Sequence, residues 1–285
     1  MKQVTNILVA IDMSSVGDEA LARAISVAKK KDAQLSVIHV IEPLFLESPY
    51  SVSADEEMIK RLMKDKVDKL NEKAKIKYLL FIEYGTVKDA VTLKVKQLKS
   101  DLLVIGSCGK DDLESSYFGS NSLKLIQNTH IPVLIVKNRV KDIYQKIIAP
   151  TNMSDYSKEC ILFANTLFTK PSKTYLYAQK TISKPQSMTY HISEEQRQDM
   201  IKEMNIKAEM ALSTFAKEVG EGKTARIDYR ASVDEDLLDY IIKDNADLLV
   251  LGSKGVNDLN SFVFGSTASY LLQRSPIDVL VYVPS

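Results

Sequence analysis

Apolar residues gather in short, nearly unbroken runs at 7–11, 35–41, 102–105 and 133–136. Runs that are continuous rather than alternating predict parallel strands buried on both faces. Longer segments with helical spacing lie between them. "DEALARAISVAKKKDA" sets Ala20, Leu21, Ala24, Ile25, Val27 and Ala28 on one side and ends in lysines. That pattern predicts an amphipathic helix with a favourable cationic C-terminus. "SADEEMIKRLMKDKVDKL" opens on Ser53 with Glu56 three residues on, and "SEEQRQDMIKEMNIKAEM" on Ser193 with Gln196, so both predict capping boxes. Strands alternating with helices predict right-handed βαβ units around a parallel sheet. The polar, proline-containing stretches 42–53 and 181–192 read as surface loops.

The pattern occurs twice. "NILVAIDMS" (6–14) matches "KIIAPTNMS" (146–154), "KSDLLVIGS" matches "NADLLVLGS", and "HIPVLIVK" matches "SPIDVLVYV". Six of the ten glycines fall into two copies of GxxGx9GS, at Gly106, Gly109 and Gly119 and again at Gly252, Gly255 and Gly265. An internal duplication divides the chain into domains 1–140 and 141–285, each expected to run β-α-β-α-β-α-β-α-β.

Composition narrows the function classes. With 285 residues and a net charge of +1, the chain has no global attraction for nucleic acid or an anionic membrane. Its lysine-rich segments carry interspersed acids and read as solvated helix faces. No run approaches the roughly 20 apolar residues of a membrane span. The N-terminus lacks the apolar core of a signal peptide, so a soluble, cytoplasmic protein is expected. Cys108 and Cys160 form no CxxC pair and read as free thiols. The three histidines, His39, His130 and His191, lack metal-ligand spacing and read as structural or solvated.

Ligands of an open parallel sheet bind beyond the carboxyl ends of the strands, where the winding reverses. Asp12 ends the first strand and Gly106 the fourth, so neighbouring strands would bring both to one crevice. Gly106 and Gly109 permit a tight turn, and Gly119–Ser120 precede a predicted helix whose N–H groups attract an anion. The Ser120 hydroxyl is expected both to cap that helix and to donate to a phosphate. The nine intervening residues would form a flap. The structural alternative, a plain turn followed by a plain cap, stays open. Cys108 reads as a small turn residue. A thiol of lowered pKa in the anion loop is the second reading, which the nearby Asp111 and Asp112 oppose. "GEGKT" (220–224) resembles the end of a Walker A loop, but Lys217 stands where its first glycine belongs and a helix precedes it. It reads as a helix-to-strand turn.

"NILVAIDMS", "DLLVIGSCG" and "FGSNS", together with GxxGx9G[S/T], resemble the universal stress protein family over nearly the full length of both halves. The resemblance implies two Rossmann-like α/β domains, each a five-stranded parallel sheet in the order 3-2-1-4-5. It also implies that the two domains pair through their last strands, with a homodimer of chains as a further expectation. It implies a stress-response role and ATP or AMP binding, with Mg²⁺ on the phosphates. By position, Asp12 would lie near ribose and metal, and Ala10, Ile11 and Val40 would line the nucleoside pocket. Gly106, Gly109, Gly119, Ser120 and Asn121 would hold phosphates. The second half would use Pro150, Thr151, Asn152, Ala178, Gly252, Gly255, Gly265, Ser266 and Thr267. Asn152 replaces the expected carboxylate and weakens metal binding. Lys254 replaces Cys108 and offsets phosphate charge. The expectation is Mg·ATP in the first half and a nucleotide such as AMP, without tight metal, in the second. No residue is placed to position a hydrolytic water, so a regulatory binder is favoured over a slow ATPase or a non-binding scaffold.

Overall fold

The computed structural model describes residues 3–42, 56–107, 120–140, 143–182, 188–229, 232–252, 254–255, 262–263 and 265–283. The first half runs β1 (Asn6–Ala10), α1 (Ser15–Lys31), β2 (Gln34–Ile41), α2 (Glu56–Asn71), β3 (Tyr78–Tyr84), α3 (Val87–Gln97), β4 (Leu102–Gly106), α4 (Ser120–Thr129) and β5 (Val133–Val136). The second runs β6 (Lys146–Pro150), α5 (Asp155–Leu167), β7 (Ser172–Lys180), α6 (Glu194–Val219), β8 (Lys223–Tyr229), α7 (Val233–Lys243), β9 (Leu248–Gly252), β10 (Lys254–Gly255), β11 (Phe262–Val263), α8 (Ser266–Arg274) and β12 (Asp278–Tyr282).

Ten strands form one sheet in the order β3-β2-β1-β4-β5-β12-β9-β6-β7-β8. Each half is parallel in the order 3-2-1-4-5, and the two join through an antiparallel β5–β12 ladder. Strand side chains alternate between two cores, as a period of two requires. Ile7, Val9, Val104, Leu134, Ile147 and Leu280 face one core, which α1, α2, α5 and α6 cover. Leu8, Ile105, Val133, Ile148 and Val279 face the other, covered by α3, α4, α7 and α8. Both cores run unbroken from one half into the other.

The helix boundaries follow local chemistry. The Ser14 hydroxyl caps α1 by accepting from the Gly17 N–H, Asp18 sits in the first turn, and Lys29–Lys31 end the helix. The Ser193–Gln196 capping box forms with both of its bonds. Ser53 lies outside the described residues. At "GEGKT", α6 ends on Gly220 at φ 105 and β8 begins at Lys223, a helix-to-strand turn as read.

One buried residue departs from the amphipathic pattern. Arg23 lies on the apolar side of α1, stacked 3.9 Å from the centre of the Tyr144 ring. Its guanidinium is 3.7 Å from Asp278, with the two side chains 7% and 2% exposed. Asp278 accepts from the Tyr144 hydroxyl (2.6 Å) and from the N–H groups of Lys137 (2.8 Å) and Asn138 (3.1 Å). Burial pushes its carboxyl above the usual range against the pull of these donors. The cluster ties α1 of the first half to β12 of the second.

Candidate functional site

The second crevice opens beyond the ends of β6 and β9, between α5 on one face of the sheet and α7 and α8 on the other. This is the reversal point where α/β sheets hold ligands. The Thr151 N–H donates to the Leu176 carbonyl (2.8 Å), extending β6 by one residue. Met153 then adopts φ 60 and Met13 of the first half φ 64. A non-glycine residue in the left-handed region is uncommon, and its recurrence at both strand ends marks a sharp turn into the next helix. The Asn152 Oδ1 accepts from Ser154 N (3.2 Å) and Ser157 Oγ (2.6 Å).

Opposite this turn stands the N-terminus of α8. Gly265 is its cap residue at φ −63 and supplies no side-chain bond. Ser266 is the first helical residue, and α4 likewise starts at Ser120. For α4, the cap expected of Ser120 lies outside the described residues. In α8 the cap position belongs to Gly265 rather than to Ser266, which leaves the first N–H groups of α8 without a side-chain acceptor. Neither α4 nor α8 has an acid in its first turn, whereas the other six described helices do.

A cavity of about 380 Å³ fills the space between these elements. Pro150, Thr151, Asn152, Ala178, Gly252, Gly265, Ser266 and Thr267 all line it. Lys254 and Gly255 instead pair with Val263 and Phe262 in the antiparallel β10–β11 ribbon. Between Gly252 and Gly265, the described residues form this two-stranded ribbon.

The first crevice is smaller, about 120 Å³, and gathers Ala10, Ile11, Asp12, Val40, Gly106 and Asn121. Gly109, Gly119 and Cys108 lie outside the described residues. The Ser122 hydroxyl donates to the carbonyls of Gly106 (3.2 Å) and Ser107 (3.3 Å), holding α4 against the end of β4. The repeat places Ala268 at the same position, where it lines the larger cavity instead. Asp12 Oδ1 accepts from both the N–H and the hydroxyl of Ser14. A Cβ on Gly17 would lie 2.8 Å from that oxygen, so glycine there is required by the approach of Asp12. Its counterpart is Ser157, whose hydroxyl serves Asn152. Asp12–Gly17 and Asn152–Ser157 are thus two solutions of one contact. His39 meets the Ile11 carbonyl through Nδ1 at 2.8 Å, in keeping with a structural histidine.

Several lining residues escaped the sequence reading. Tyr156, Tyr177, Val233, Leu237 and Leu271 line the second crevice, and Val87, Ser122 and Leu125 the first. Val87 and Val233 each open a helix just after a cap, Thr86 and Ser232, so extending the repeat alignment beyond the glycine loop would have found them. Cys160 lies behind Gly252, and burial pushes its thiol up. Among the described residues no group of three His, Cys, Asp or Glu could cage a metal, and no helix is long and apolar enough to cross a membrane.

A model of the universal stress protein family matches residues 3–137 and again 143–283. The chain belongs to the universal stress protein family. It carries two such domains in tandem. Universal stress protein MJ0531 of Methanocaldococcus jannaschii is 32% identical over 146 residues, 48% of this chain and 84% of that one. Two solved structures share the two-domain fold from end to end. A universal stress protein from Archaeoglobus fulgidus superposes with a TM-score of 0.63 at 16% identity, covering 99% of both chains. The functionally unknown protein PA1789 of Pseudomonas aeruginosa PAO1 superposes at 0.68 and 16%, covering 99% of this chain and 93% of that one.

Proposed function

We propose that this tandem universal stress protein is a cytoplasmic, adenine-nucleotide-binding regulatory module of the stress response. The observation that carries the reading is the start of α8, uncapped by any side chain and free of acids in its first turn, beside a cavity of about 380 Å³. Aligned N–H groups and the helix dipole favour a phosphate there by about 0.3–2 kcal/mol before specific hydrogen bonds. The cavity volume lies in the range of small-molecule sites, roughly 300–1,000 Å³. Pro150, Leu176 and Ala178 give it an apolar side for a purine, while Gly265, Ser266 and Thr267 face the phosphates.

The two halves divide the work by charge. Asp12 brings a carboxylate to the first crevice, which suits Mg²⁺ held jointly with phosphate oxygens. Asn152 brings none, so the second crevice takes its nucleotide, such as AMP, without a tightly held metal.

Gly265→Asp tests the reading. A Cβ at Gly265 meets nothing within 4 Å and the backbone is extended, so aspartate fits as a helix cap. It should hold or raise stability by a few tenths of a kcal/mol. Its carboxylate would also occupy the N–H groups and repel phosphate. Native mass spectrometry and calorimetric titration with AMP and Mg·ATP should then record loss of one bound nucleotide. Unchanged nucleotide binding in a stably folded Gly265→Asp protein, or no nucleotide binding by the wild type, would refute the reading.

A further inference from the structure

The two halves are related by an approximate two-fold axis through the Leu134–Leu280 pair of the β5–β12 ladder, flanked evenly by Ile135–Val279 and Val133–Val281. A constellation at one end of this ladder therefore has a positional twin at the other. One end is filled by Tyr144, Arg23 and Asp278. Beside them, the Lys137 ammonium donates to the carbonyls of Leu272 (2.8 Å) and Ser275 (2.7 Å) at the C-terminus of α8. Helix C-termini expose carbonyls and the negative end of the dipole, so a cation is favoured there.

The twin end keeps the backbone and loses the plug. By the repeat, Val4 stands for Tyr144, Phe163 for Arg23, Pro132 for Asp278 and Val283 for Lys137. In place of the buried cluster there is a cavity of about 390 Å³, lined by these four residues and by Asp101, Glu159 and Tyr282 among others. It shares no lining residue with either crevice.

We propose that this inter-domain cavity binds a small organic ammonium ion with an apolar body, whose charge takes the place that the Lys137 ammonium fills at the twin end. Three features carry the choice of ligand. The C-terminus of α4 is the positional counterpart of the C-terminus of α8; His130 and Ile131, which follow it directly, line the cavity, and Val283 brings no lysine ammonium to it. Two carboxylates line the space: Asp101, held by Thr5 and Asn6 (2.9–3.0 Å), and Glu159, to which the Tyr282 hydroxyl bonds. The Phe163 and Tyr282 rings, with centroids 5.4 Å apart, give an aromatic wall of the kind that attracts cations. Val4, Pro132 and Val283 enclose the apolar part.

Calorimetric titration of the full chain with phenethylammonium tests this, with phenethyl alcohol as the neutral isostere. The ammonium should bind saturably and the alcohol about ten-fold or more weakly. Saturating Mg·ATP should leave the ammonium affinity unchanged, because the sites are separate. Val283→Lys rebuilds the twin arrangement and should lower the ammonium affinity about ten-fold or more while raising the melting temperature. Should Val283→Lys fail to fold by circular dichroism, Glu159→Gln serves in its place, with a loss of about three-fold or more expected. The proposal is overturned by absence of ammonium binding, by equal binding of the alcohol, or by displacement by Mg·ATP. Wild-type affinity in a folded Val283→Lys protein, or in Glu159→Gln, overturns it equally.

Discussion

An alanine at Gly106 would place its methyl carbon 2.7 Å from Val16 Cγ1 and 3.4 Å from the Val16 carbonyl oxygen. Carbon atoms pack at about 3.5–4.0 Å, so β4 and α1 must part by roughly an ångström. Val16 is buried at the start of α1, and the Gly106 carbonyl is held by the Ser122 hydroxyl, so neither side yields freely. Overpacking of this kind costs about 1–3 kcal/mol. The twin substitution, Gly252→Ala, meets Cys160 Cβ at 3.6 Å and the Tyr156 carbonyl oxygen at 3.7 Å, which is ordinary contact. Neither glycine has a left-handed backbone. Gly252→Ala should therefore be neutral or should stabilise by about 0.4–1 kcal/mol through the unfolded chain. At about 2–4 °C per kcal/mol, Gly106→Ala should melt roughly 2–12 °C below wild type and Gly252→Ala at or above it. Scanning calorimetry, which also reveals whether the halves unfold separately, is the assay. Equal shifts in the two variants, or a larger loss for Gly252→Ala, would show that the two positions are not packed as described.

Arg23→Met removes the cation from the buried cluster and leaves the Asp278 carboxylate without it, so urea unfolding should record a loss of about 3–5 kcal/mol. Burial already holds the folded pKa of Asp278 above its ordinary value, and loss of Arg23 raises it further. The deficit should therefore be smallest in acid and should grow as pH rises through that folded pKa; a pH-independent loss would contradict a charged Asp278. Burial and the neighbouring Asp68 raise the Tyr78 hydroxyl to about 12. Its contribution to stability is whole below the ordinary tyrosine value near 10 and is lost as pH rises through 12. Tyr78→Phe should flatten the alkaline fall in stability over that window, and an unchanged profile would count against the Asp68 contact.

Much of the architecture was legible along the chain because it is written in neighbouring residues. The unbroken apolar runs became the central strands, and the Ser193–Gln196 capping box formed as its spacing predicts. The duplication carried over into two copies of one strand order, joined through their last strands. The glycine loops were legible as chemistry too, since GxxGx9GS names residue types that recur around a crevice. The absence of acids at the starts of α4 and α8 was equally open to inspection there.

The tertiary structure decided what depends on partners far apart in sequence. Gly106 and Gly252 look alike in the motif, yet only Gly106 is pressed against a helix, because Val16 stands in α1 where Tyr156 stands in α5. Arg23 looks like a polar interruption of an apolar stripe until Asp278, in the last strand, comes to lie beside it. Met13 and Met153 carry no glycine-like signal, and the Ser122 clamp beside the first crevice has no counterpart in Ala268. A repeat predicts that equivalent positions occupy equivalent places. Whether a given place is filled, clamped or hollow is set by the side chains that folding brings there from elsewhere in the chain.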